Sequence, residues 1–139
     1  MGGPVSIETV TGRATSAPIG VVQTVLVVDD HEGFRLRTRR LLERHRFRVV
    51  EAANGAAAIH RAAADRPDIV LLDIHLPDMD GFEVAARLRA AGTAGAILLI
   101  STHAEADIAD RLGRSAADGF VDKADLSMAT IAAGLARLE

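Results

Sequence analysis

From Thr24 onward the chain repeats one pattern: a short apolar run, a turn, then a longer stretch whose apolar positions recur at helical spacing. Residues 25–28, 47–51, 69–72, 97–100 and 119–121 read as strands. Their mostly continuous apolar character, without polar alternation, is how strands read when helices cover both faces of a parallel sheet. Helices are predicted over 32–45, 55–65, 81–91, 104–114 and 126–138. In the last of these, Ile131, Leu135 and Leu138 share a helical spacing and Ser127 is placed to cap the start. Strict strand and helix alternation gives an α/β domain. Right-handed crossovers leave few topologies, of which a five-stranded sheet in the order 2-1-3-4-5 is the common one.

Residues 1–22 do not share the pattern. Scattered Gly, Pro, Ser and Thr make them a flexible extension in this reading, with one domain over 23–139. Composition narrows the function classes. The chain has no cysteine, which removes thiol catalysis, thiolate metal sites and disulfides, and suits a cytoplasmic setting. Net charge is -3, so nothing global drives it toward nucleic acid or an anionic membrane. The longest apolar runs, such as 96–100, fall far short of the roughly 20 residues needed to span a bilayer.

The chemistry collects at strand ends. Asp29 and Asp30 follow the first strand and Asp73 follows the third. In a 2-1-3-4-5 sheet those strands are neighbours, and the crevice beyond their carboxyl ends is where such sheets bind ligands. Two carboxylates about 4 Å apart repel by about 4 kcal/mol at an effective dielectric near 20. The cluster therefore calls for a protonated member or a cation, and a hard divalent ion, Mg²⁺ or Mn²⁺, suits oxygen ligands. Ser101 ends the fourth strand and Lys123 follows the fifth, on the same edge of the sheet. Lys123 is the only lysine, against 15 arginines. A compact ammonium and a hydroxyl are suited to the oxygens of a phosphoryl group, with Asp73 as the nucleophile that accepts it.

These segments, residues 25–30 (VLVVDD), 73–81 (DIHLPDMDG), the Ser101 and Thr102 pair, and 119–123 (GFVDK), resemble the bacterial response-regulator receiver family. Each motif alone is weak; four in order at the family spacing, over about residues 23–139, are specific. The resemblance implies a flavodoxin-like (βα)5 three-layer sandwich that takes phosphate on Asp73 from a histidine kinase or a histidine phosphotransfer protein, without turning over an external metabolite. It implies Asp30 as a direct metal ligand, Asp29 as its companion, and the His75 backbone carbonyl as a further ligand. Pro77 and Gly81 match the loop before the third helix, Ser101 the switch hydroxyl, and Phe120 the aromatic that changes rotamer. The output partner or effector domain is left open, as is a homodimer; direct contact of this domain with membrane or nucleic acid is not expected.

Two positions depart from the family pattern. Thr102 is bulkier than the usual small residue, and Ala124 replaces the proline that often follows the lysine, leaving the cis or trans state of that bond open. His75 and His103, with Thr102, would modulate water access to the phosphorylated site, while His31, His75 and His103 together offer a less favoured transition-metal set. Seven arginines between 35 and 48 read first as a solvated helix, then as a docking face for an acidic partner. Taken singly, the residues have plainer explanations: a turn for Asp29 and Asp30, a strand-end hydroxyl for Ser101, a packed ring for Phe120. Two rival functions remain. A haloacid-dehalogenase-like phosphatase would need a second aspartate two residues after the first, where His31 stands, and a degenerate receiver would act as a phosphate-independent interaction module.

Overall fold

A computed structural model describes residues 22–102 and 106–136. Nearly all of the expected extension, His103 and Leu138 lie outside them. The elements are β1 (Thr24–Val28), α1 (Glu32–Arg44), β2 (Arg48–Ala52), α2 (Gly55–Asp65), β3 (Ile69–Asp73), α3 (Gly81–Ala91), β4 (Ala96–Ser101), α4 (Ala106–Gly113), β5 (Gly119–Asp122), a 3-10 turn (Lys123–Asp125) and α5 (Met128–Ala136). All strand pairings are parallel, in the order β2-β1-β3-β4-β5.

Continuous apolar runs become strands buried on both faces because alternate side chains point to opposite layers. β1, β3 and β4 are buried along their whole length. Val25, Val27, Leu71, Leu98 and Ile100 face one side with Phe34 and Leu42 of α1 and Ile131 and Leu135 of α5. Leu26, Val28, Leu72, Ile97 and Leu99 face the other, with Ala58 of α2, Val84 and Leu88 of α3 and Ile108 of α4. At about 1.5 to 3 kcal/mol for each large apolar side chain removed from water, these two cores hold the three layers together. No helix among the described residues is long and apolar enough to cross a membrane.

Strand limits agree with the hydrophobic pattern to within one residue. The last helix starts at Met128, not at 126, because the chain first makes the 3-10 turn, where the Asp122 carboxylate accepts from Ala124 N–H at 2.9 Å. Ser127 then caps α5: its Oγ accepts from Thr130 N–H at 3.2 Å while its own N–H donates to Thr130 Oγ1 at 2.9 Å. No cis peptide occurs among the described residues, so the Lys123 to Ala124 bond is trans.

Candidate functional site

The winding of the sheet reverses between β1 and β3, and both strands end in carboxylates there. Asp29 N–H donates to Ala52 O at 3.1 Å, which continues the β1 to β2 ladder one residue past the strand. Arg35 Nη1 donates to Asp29 O at 2.7 Å and Arg35 Nε to Glu51 at 2.9 Å, fixing the same turn from α1. Asp29 is fully buried, whereas Asp30 is exposed. Asp73 is the last residue of β3, opposite Ile100 of β4, and is 4% exposed. Its Oδ1 accepts from His75 N–H at 3.1 Å.

Lys123 comes from just beyond β5 into this crevice. Its Nζ lies 2.5 Å from Asp29 Oδ2, 3.5 Å from Asp73 Oδ2 and 4.5 Å from the centre of the Phe34 ring. The ammonium thus sits against a ring face as well as two carboxylates. The sequence placed Lys123 opposite Asp73; in the structure its closer partner is Asp29. Burial pushes both carboxyls up, and they part company over what opposes it. For Asp29, hydrogen bonds from Lys123 and from His31 N–H outweigh burial and hold its pKa below the ordinary value. For Asp73, burial wins, reinforced by the neighbouring Asp29 charge and only partly offset by His75 N–H and Lys123, so its pKa is raised.

Oxygens of Asp29, Asp30 and Asp73 and a ring nitrogen of His31 lie within 4.8 Å of one another. This donor set fits a hard divalent ion: three carboxylates converge, one of them wholly buried, and a single lysine balances two. The segment after β3 is held for the same purpose. His75 forms a bridge with Asp80, and Gly81 N–H donates to Ile74 O at 2.7 Å. A Cβ on Gly81 would lie 2.4 Å from Asp73 O, so only glycine lets α3 start so close to the strand end. Asp80 caps α3 through Phe82 N–H at 2.7 Å and pairs with Arg111 of α4 at 2.8 Å. Asp78 accepts from Gly55 and Ala56 N–H, at 2.7 and 2.9 Å, at the start of α2.

The structure therefore brings Asp29, Asp30, Asp73 and Lys123 together. Ser101 ends β4, 1% exposed, in register with Asp122. Thr102 is exposed and, with Phe34, Arg37, Leu41, Lys123 and Leu126, lines a groove of about 830 Å³ beside α1. Phe120 is half-buried and packs on the core shared by α2, α3 and α4. His75 is exposed. In the sequence Phe34 carries only a helical pattern, Arg35 reads only as one of seven arginines on a solvated or docking helix, and His31 is tied to a metal only in company with His75 and His103.

The response regulator receiver domain model matches residues 25–133. A putative transcriptional regulator of Pseudomonas aeruginosa is 43% identical over 100 residues, covering 71% of this chain and 48% of that protein. The signal receiver domain of the putative response regulator NarL from Mycobacterium tuberculosis is similar at 36% identity and a TM-score of 0.69, over 84% of this chain and 91% of that one. The BeF3-activated N-terminal receiver domain of Klebsiella pneumoniae RstA is similar at 27% identity and a TM-score of 0.73, over 81% and 94%. The chain spans about half the length of the first of the curated relatives it matches.

Proposed function

The chain belongs to the response regulator receiver family, and on that footing we propose that Asp73 accepts a phosphoryl group from a phosphorylated histidine of a kinase or phosphotransfer protein. The observation that carries this reading is the buried Asp73 carboxylate, set beside Asp29 with Lys123 reaching both. An Asp73 oxygen forms the new O–P bond as the donor's N–P bond breaks, the electron pair leaving with the imidazole nitrogen. Bound Mg²⁺ supplies neutralisation of charge on the phosphoryl oxygens. Asp29 and Asp30 hold it with Asp73 and the His75 carbonyl. Lys123 stays within reach of the new phosphate, and the Ser101 hydroxyl turns to donate to one of its oxygens.

In this reading the receiver spans 23–139 and residues 1–22 precede it. The groove beside α1, lined in part by Thr102, admits the phosphorylated partner; Thr102, His75 and His103, the last by its sequence position alone, govern water access and hence the lifetime of the signal. Movement of Ser101 toward the phosphate lets Phe120 shift, and the surface of α4, β5 and α5 changes for an output partner or effector domain.

Beryllofluoride and acetyl phosphate test the reading. The parent binds the first and is modified by the second only with Mg²⁺, and Asp73→Asn does neither. Modification that survives Asp73→Asn would sink it, and a parent inert to both reagents would leave a phosphate-independent interaction module.

A further inference from the structure

His31 occupies the N-cap position of α1, where Ser, Thr, Asp or Asn would satisfy a free helix N–H, yet its side chain makes no capping bond. The ring turns instead to the carboxylates. Its Nδ1 lies 3.1 Å from Asp29 Oδ1 and 3.1 Å from Asp30 Oδ1. The side chain is 70% exposed, and Asp29 Oδ1 also accepts from the His31 N–H at 2.8 Å. Ligand atoms in adjacent positions of an octahedral ion, at about 2.1 Å from the metal, are separated by about 3.0 Å. The two nitrogen to oxygen separations are of that order, and without an ion they are hydrogen-bond length.

We infer that His31 Nδ1 is a ligand of the divalent-ion site, adding one nitrogen to its carboxylate oxygens and so favouring first-row transition ions over Mg²⁺. The inference rests on the divalent-ion reading of the same cluster and adds to it a choice among ions. Mg²⁺ gains little from imidazole, while affinity for nitrogen donors rises through Mn²⁺ and Co²⁺ to Ni²⁺. A transition ion held this way would compete for the place where Mg²⁺ assists phosphorylation.

The test uses the untagged full chain. Pulsed electron paramagnetic resonance of the Mn²⁺-loaded protein should show coupling to an imidazole nitrogen that is lost in His31→Asn and kept in His75→Asn. Asn is a good N-cap, so the first variant keeps α1. Calorimetric titration, needed because the chain has neither Trp nor Tyr to report binding, should show Ni²⁺ affinity falling about tenfold or more in His31→Asn while Mg²⁺ affinity changes less than about threefold. Mn²⁺ bound without nitrogen coupling, or coupling that survives His31→Asn, overturns the ligand assignment and leaves phosphorylation of Asp73 standing. No divalent binding by the parent overturns both.

Discussion

Asp29 and Asp73 share one ammonium and burial raises both, yet their net pKa shifts run in opposite directions, which makes their contributions to stability separable by pH. A carboxyl whose pKa is raised on folding favours the folded state below its unfolded pKa and loses that advantage as pH rises through the folded value. Asp73 is such a group. Asp73→Asn should therefore be more stable than the parent at pH 7 in EDTA, by about 1 kcal/mol, because it removes a buried like charge. The gain should vanish below about pH 4, where Asp73 is protonated in both states. Thermal melts from pH 3 to 8 check this, and a variant less stable than the parent at pH 7 would contradict it. Asp29 has the opposite sign, its contribution being lost only as pH falls below the ordinary carboxyl range. Residue identity and strand-end position were enough to find the acidic residues and Lys123. They could not say that Lys123 would lie nearer Asp29, or that His31 would turn from capping to the carboxylates, because both depend on side-chain rotamers that no pattern encodes.

Among the elements, the segment joining β3 to α3 does the most positioning. Asp78 caps α2, Asp80 caps α3 and pairs with Arg111 of α4, and Gly81 lies against the Asp73 backbone. Alanine would favour a helical position over glycine by about 1 kcal/mol. The 2.4 Å approach to Asp73 O outweighs that gain, since the new methyl meets backbone that cannot swing aside. Gly81→Ala should cost about 2 to 3 kcal/mol in urea unfolding and weaken Mg²⁺ binding. An unchanged or raised urea midpoint would show that the strand end yields. Strands and helices were legible in the sequence because buried parallel strands and amphipathic helices have different periods. The Ser127 cap of α5 was legible too, but the 3-10 turn before it was not: that turn depends on Asp122 capping a single turn, and Leu126 looks helical by spacing alone.

For the molecule as a whole, the five arginines on α1 divide into two groups. Arg35 and Arg39 are committed to Glu51 on β2. Arg37, Arg40 and Arg44 are exposed, hold no ion pair among the described residues, and fall within about 60° of one another around α1. Arg37 also lines the groove that opens on Lys123. A basic stripe beside an apolar groove suits an acidic partner surface and would chiefly speed encounter. Replacing the three with Glu should slow transfer from a phosphohistidine protein about tenfold or more at low salt while leaving modification by acetyl phosphate unchanged. Equal slowing with both donors would place the fault in the site and not in docking. One further consequence comes from Lys123 being the sole lysine. Apart from the terminal amine, the chain carries one aliphatic amine, and that amine lies in the crevice itself. Reductive methylation with ¹³C-formaldehyde would give this protein one ε-dimethyl NMR resonance, a chemical handle that reports on the acceptor site beside a single α-amine signal.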